Sequence, residues 1–360
     1  MISTPAPTQR EAFSRRLTDS TNGAFDVAAA YLGLQLGLYR SLADDGPATA
    51  AQLAARTGTN DRLIREWLEQ QAATEILEAT RDGQVGDTWR FSLPDDHAAV
   101  LLDPVALDGM GGTIKAQISC FTLMPRLVDA YKSGRGIPFA DYGSDMMEGQ
   151  AASTRPVYSA ELATWFAAVP DVATRLAAEN ARILDIGCGE GWSSVTIARA
   201  FPNASVEGVD LDPASIAAAT ATAEREGVAD RVTFEVRDAA SLAGASFDVA
   251  TMFEMLHDLS HPVEVLRAAR ASLAPGGVVL VADEITEDAF TGPAGEGDRR
   301  HYGWSVLHCL PASMTEPDSA ATGTVIRPAT VRTYAEAAGF SSVEILPVES
   351  VAFRLYLLRP

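Results

Sequence analysis

Apolar and polar positions alternate along this chain in two regimes. From about Glu11 to Ala79 the apolar residues recur with the period of helices that bury one face. Within that stretch Thr49 precedes AAQLAARTG, Gly58 closes it, and Asn60 or Asp61 opens a further helix on which Leu63, Ile64, Trp67 and Leu68 share a face. This spacing predicts a helix-turn-helix. The polar, turn-rich run that follows, ATRDGQVGDTWRFSLPDD, reads as a short β-hairpin, so the whole has the form of a winged helix.

From about Ala98 to Asn180 the pattern stays helical, interrupted by KSGRGIPFADYGSDMMEG. That interlude, with Phe139 and Tyr142, reads either as a lid or as an ordinary connection. After Ala181 the period changes to strand, helix, strand, helix. Strands are predicted at 182–186, 205–210, 232–236, 247–253 and 277–282, with helices at 192–201, 213–226 and 262–273 between them. An irregular insertion at 284–327 and a helix near 329–338 precede two strands at 343–347 and 351–358, joined by a turn too short for anything but an antiparallel pair. The fold class is therefore α/β: a seven-stranded, Rossmann-like doubly wound sheet with an antiparallel last strand, plus an N-terminal, mainly helical winged-helix domain. The expected domains are 1–105 for dimerisation or substrate covering, 106–175 as a helical linker that could close as a lid, and 176–360 for ligand binding.

Composition narrows the partners. The chain has 360 residues, 47% hydrophobic and 21% charged, and a formal net charge of -20. That balance argues against binding to nucleic acid, whose affinity is carried by Lys and Arg. The predicted second helix of the helix-turn-helix, DRLIREWLEQQ, is itself acidic, a poor surface for a major groove. Cys120, Cys188 and Cys309 stand singly, without metal-ligand spacing, which suits a reducing compartment. No run reaches membrane-spanning length and the N-terminus lacks an apolar signal core, so a cytoplasmic location without membrane partners is expected.

The densest chemistry lies in RILDIGCGEG, where an apolar run ends in Asp185 and breaks into Gly187, Gly189 and Gly191. Alternating glycines at a strand's carboxyl end let the backbone approach a ligand closely. A dinucleotide motif would need glycine where Trp192 stands. An acid two residues before the first glycine suits instead the ammonium of a methionine-bearing nucleoside, S-adenosylmethionine. Asp210, followed by Leu211, ends the second strand where a carboxylate can accept from two ribose hydroxyls, and Asp238, beside the Ala239 backbone, is placed for an adenine amino group. Each Asp alone could equally be a cap or turn residue.

DIGCGEG, VEGVDLD, VRDAAS and FDVATMFEMLHDLSHPVEVLRAARASLAPGGVVLVADE resemble the successive motifs of class I S-adenosylmethionine-dependent methyltransferases, and AAAYLGLQLGLYRSLADDGPATAAQLAARTGTNDRLIREWLEQ resembles the dimerisation domain of the winged-helix small-molecule O-methyltransferases. The resemblance implies a homodimer that methylates an oxygen of a small, secondary-metabolite-like acceptor. It also implies that His257, in the position of the family's His followed by Asp, is the general base, since an imidazole near neutrality can take a hydroxyl proton. Leu259 replaces the family's aromatic there, and a purely structural His257 is the competing reading. Phe253 and Tyr142 are candidates to face the sulfonium, although aromatics at such places are more often core. Glu284, Tyr302 and His308 are candidates for the acceptor's wall, and no acidic trio with magnesium-site placement is present, so metal independence is expected. N- or C-methylation, a non-methylating enzyme on this scaffold and a winged-helix regulator that senses the cofactor are the alternatives.

Overall fold

Thr49 opens the helix Ala50–Thr57 with a capping box: its Oγ1 accepts from the Gln52 amide at 3.3 Å, and Gln52 Oε1 accepts from the Thr49 amide at 3.0 Å. Gly58 ends that helix at φ 68°, a left-handed conformation that costs glycine little. Asn60, rather than Asp61, caps Asp61–Ala73 through the Leu63 amide at 3.2 Å. Ile64, Trp67 and Leu68 are buried as the periodicity predicts, but Leu63 is 70% exposed and belongs to the opposite face. Both arginines of this helix pair with acids one turn away, Arg62 with Glu66 and Arg65 with Asp61.

The computed structural model describes residues 8–81, 89–242, 244 and 246–360. The chain divides into two units, Met1–Ile118 and Ser119–Pro360. In the first, helices Gln9–Gln35, Leu38–Asp45, Ala50–Thr57 and Asp61–Ala73 precede β1 (Glu78–Arg81), β2 (Trp89–Ser92) and a helix Asp95–Leu102. β1 and β2 pair antiparallel from Glu78↔Ser92 to Arg81↔Trp89, as the hairpin reading requires. The turn predicted between them lies outside the described residues. Leu38, Tyr39, Leu53, Trp67, Leu68 and Phe91 form the core of this unit.

The second unit is built on β3 (Arg182–Ile186), β4 (Ser205–Asp210), β5 (Val232–Val236), β6 (Phe247–Phe253), β7 (Leu273–Glu284), β8 (Ser342–Ile345) and β9 (Phe353–Arg359). Their order is β5-β4-β3-β6-β7-β9-β8, with β9 antiparallel to both neighbours and the ladders from β5 to β7 parallel. Strand alternation puts Ile183 in the core on one face of the sheet and Leu184 and Ile186 in the core on the other, so both faces are covered. Asp185, in register with Ile183, therefore enters the face packed by Trp165, Val195 and Phe253.

Two expectations are corrected. The interlude before the sheet is shorter than the sequence suggests, because helices Met124–Ser133 and Ser144–Ala167 flank one short turn, Phe139–Tyr142. The insertion at 284–327 is not irregular throughout: it holds a helix Glu296–Trp304, a π-helical turn Ser305–Cys309 and a helical turn Leu310–Ser313. Its glycines at 295, 297 and 303 and its wide π turn blur the 3.6-residue period on which a helix is read.

Candidate active site

A cavity of about 730 Å³ opens where β3, β4, β5 and β6 end at their carboxyl termini. The backbone turn after β3 forms one wall. Gly191 there has φ 79°, and a Cβ on it would lie 2.7 Å from the Phe234 ring, so both conformation and space demand glycine. The Gly187 amide donates to Val209 O at 2.8 Å, and the Gly189 amide to Asp210 Oδ2 at 3.0 Å, which ties the turn to the end of β4.

Asp210 accepts a second bond from the Asp212 amide at 2.9 Å and lines the cavity with Leu211 and Asp212. Burial pushes its pKa up despite the amides that favour the ionised form. Asp238 lines the cavity with Ala239 and Ala240, and its Oδ1 accepts from the Ala240 amide at 2.9 Å. Phe253 also faces the cavity, with its ring edge-to-face on Trp165 at 5.5 Å.

Asp185 behaves differently from its sequence expectation. It is not among the cavity-lining residues: both oxygens are occupied by hydroxyls, Oδ2 by Ser193 and Ser194 at 2.6 Å each and Oδ1 by Thr251 at 2.8 Å. Its burial raises the pKa, and the three hydroxyls pull the other way. This carboxylate fastens β3 to β6 and to the first turn of the helix Trp192–Ala200, and so holds the glycine turn from behind.

His257 sits on a short turn after β6, 2% exposed. Its Nδ1 lies 2.7 Å from Asp283 Oδ1 at the end of β7, and Asp283 Oδ2 accepts from the His257 amide at 3.3 Å. Nε2 turns toward Asp258, 3.4 Å from Oδ1. Burial disfavours the imidazolium, yet the carboxylates of Asp258 and Asp283 outweigh it and hold the pKa well above the usual histidine range. Asp258 lines the cavity, whereas His257 lies behind it. Cys309, from the π-helical turn, closes the group: His257, Asp258 and Cys309 each offer a ligand-type atom within 4.8 Å of the others. Burial lifts the Cys309 thiol to about 12.

Tyr142, Glu284, Tyr302 and His308, expected to face the sulfonium or the acceptor, do not line this cavity. Tyr142 is buried, donating to Leu307 O at 3.0 Å with its ring edge-to-face on His308 at 4.5 Å. The Nδ1 of His308 lies 3.4 Å from Cys309 Sγ, so this pair braces the turn that carries Cys309. Tyr302 accepts from Arg327 at 3.2 Å, and Glu284 lies 3.4 Å from His301 with its carboxyl lifted by burial to about 7. Tyr142 and His308 are taken up in buried packing, and Glu284 and Tyr302 are held by His301 and Arg327.

Phe139, Tyr158, Glu254 and Asp258 do face the cavity. Glu254 is a non-glycine residue at φ 54°, and burial, then the neighbouring Glu284, pushes its carboxyl far above the ordinary range. The signal for it was present: FEMLHD puts an acid directly after an apolar strand. Asp283 likewise ends the run VVLVADE, while Cys309 carried no sequence signal at all.

The sheet order and this strand-end cavity define a Rossmann-like methyltransferase fold. Residues 177–321 match the family model described as a methyltransferase domain, and residues 27–102 that described as an Rv2258c-like winged HTH domain. The chain thus joins a methyltransferase domain to an N-terminal winged helix-turn-helix domain. The ubiquinone biosynthesis O-methyltransferase of Xanthomonas euvesicatoria is 37% identical over 112 residues, 31% of this chain and 46% of that protein. The 27-O-demethylrifamycin SV methyltransferase of Amycolatopsis mediterranei is 34% identical over 129 residues, 35% of this chain and 47% of its own. The match thus spans under half the length of these curated relatives. Human N-acetylserotonin methyltransferase, solved in complex with SAM, shares the fold over 99% of both chains with a TM-score of 0.72 at 17% identity.

Proposed function

We propose that this chain is an S-adenosylmethionine-dependent methyltransferase that moves the methyl group to an oxygen of a small-molecule acceptor from secondary metabolism. The observation that carries the reading is the convergence of the Gly187–Gly191 turn, Asp210 and Asp238 on one cavity at successive strand ends. In it Asp210 takes the ribose hydroxyls, Asp238 and the Ala239 backbone take the adenine, and the glycine turn passes the methionine end. Phe253 lies within the same lining, as an apolar neighbour for the methyl group. Relatives that are named O-methyltransferases support oxygen as the acceptor atom.

The acceptor hydroxyl meets the His257–Asp258 pair, with Asp258 making the contact and His257 and Asp283 behind it. As the oxygen attacks, an O–C bond forms and the C–S bond breaks; the sulfonium becomes a neutral thioether and the hydroxyl proton passes to the Asp258 carboxylate of the His257–Asp258 pair. Alignment of oxygen, methyl carbon and sulfur in the cavity supplies the larger share of the acceleration. Residues 1–105 serve as the dimerisation unit of a cytoplasmic homodimer, in keeping with apolar residues exposed along Gln9–Gln35 and three buried free thiols. Within the 106–175 segment, Phe139, Met147 and Thr154 border the acceptor's side of the cavity. Calorimetry tests the reading: the protein binds S-adenosylmethionine and its demethylated product, and Asp210→Asn weakens both. Binding of NAD with none of either nucleoside would overturn it.

A further inference from the structure

We propose that Glu254 receives the α-ammonium of S-adenosylmethionine, as the carboxylate partner of the nucleoside's amino-acid end. This role rests on the methyl-transfer reading, in which the ammonium is left without a partner.

An ammonium taken out of water needs an anion or carbonyl oxygens beside it. Asp185, the acid nearest the glycine turn in sequence, is occupied by Ser193, Ser194 and Thr251 and does not reach the cavity. The neighbouring strand supplies another. β3 and β6 run parallel with Ile186 opposite Met252, so the residues that follow each, Gly187–Cys188 and Phe253–Glu254, leave the sheet side by side, and all four line the cavity. Met255 lies so close to the turn that a Cβ on Gly187 would stand 3.0 Å from its side chain. Glu254 is therefore beside the path of the methionine end.

Its carboxyl takes no hydrogen bond from any described residue, although it faces the cavity from a buried position. The Glu254 amide donates to Ala282 O at 2.8 Å, and the residue stands at φ 54°, a strained conformation without glycine. The titratable groups around it are Glu284, His257, Asp258, Asp283 and Tyr158, a set in which acids predominate. Burial and the Glu284 charge lift the Glu254 carboxyl, and Glu284 is itself lifted to about 7, so the pair retains a proton near neutrality. An arriving ammonium supplies the missing positive charge. The carboxyl then ionises, its proton goes to solvent, and the ligand nitrogen keeps its three hydrogens.

The test uses the full-length protein and S-adenosylhomocysteine, which carries the ammonium without the sulfonium. Beside it stand its deaminated analogue and methylthioadenosine, which carry no ammonium. Calorimetry at neutral pH, in two buffers of different ionisation enthalpy, should show a proton released when S-adenosylhomocysteine binds and none released by the other two. Glu254→Gln should abolish that release and weaken S-adenosylhomocysteine by about 10- to 100-fold, while methylthioadenosine binds as it does to the parent. Glu316→Gln, at an acid of the same cavity that lies 3.4 Å from His261, should change neither reading. Thermal melts establish that the variants fold; should Glu254→Gln not fold, the parent's proton release with S-adenosylhomocysteine against the deaminated analogue decides alone. The proposal is overturned by a release that survives Glu254→Gln, by equal losses for both nucleosides in that variant, or by a parent that releases the same proton to the deaminated analogue. Failure of every nucleoside to bind removes the methyl-transfer reading, whereas binding of all three without preference for the ammonium removes the role of Glu254 alone.

Discussion

Among single residues, Asp185 shows how a position can be legible while its task is not. An acid at the end of an apolar strand beside glycines is visible in the sequence. Its three hydroxyl partners come from Ser193, Ser194 and Thr251, and no pattern links those positions to it. Asp185→Ala would strand three buried hydroxyls, and should lower stability by about 2–4 kcal/mol, read as a drop in the urea midpoint. A midpoint within error of the parent would show that these bonds stabilise nothing. Nucleoside affinity should fall in the same variant, because the glycine turn loses its rear support. His257→Gln should lower kcat by about 10² to 10⁴ while leaving the Kd for S-adenosylmethionine within a few-fold. Equal losses in both would make His257 structural. Asp210 and Asp238 were readable because a parallel strand ends where its apolar run ends. Cys309 was not, because only the folded chain brings it to His257.

Elements separate by how their burial is distributed. The inner strands β3, β6 and β7 are buried on both faces and appear in sequence as apolar runs, so their limits are read within a few residues. The helix Glu296–Trp304 is legible only through its contacts. Its Asp298 is 3% exposed and accepts from Arg327 at 2.8 Å and from the Glu287 amide at 3.1 Å. Burial works to raise the Asp298 pKa, but the Arg327 and amide bonds outweigh it and hold the carboxyl below its usual value. A carboxyl depressed on folding contributes fully above its unfolded pKa of about 3.9 and loses that contribution as the pH falls through the folded value. Asp298→Asn should therefore cost on the order of 3 kcal/mol at pH 7, with the gap to the parent narrowing below pH ~4. Urea titrations at pH 7 and pH 3 check this, and a gap that does not change with pH would reject it.

For the molecule as a whole, the net charge of -20 keeps copies apart at long range while leaving short-range apolar contact open. Phe13, Leu17, Phe25 and Leu32 on the helix Gln9–Gln35 are 52%, 50%, 67% and 50% exposed, more apolar surface than one helix of a monomer ordinarily leaves in water. Sedimentation velocity should find a dimer for the parent protein and a monomer for a Phe13→Asp, Phe25→Asp double variant. A parent that sediments as a monomer at micromolar concentration would reject the dimer. The winged helix and the α/β sheet were both recognisable from the chain, one by caps and turns, the other by alternating periods.

The order of the sheet has a consequence for how the protein is made and handled. β9, at Phe353–Arg359, pairs with β7 along one side and β8 along the other. Until those residues arrive, β7 presents the bare edge of a 12-residue strand, apolar from Val278 to Ala282. An uncovered edge of that kind recruits other chains as readily as its own strand. Fragments that stop short of Phe353 will therefore collect as insoluble aggregates even though the cavity's lining residues all precede it.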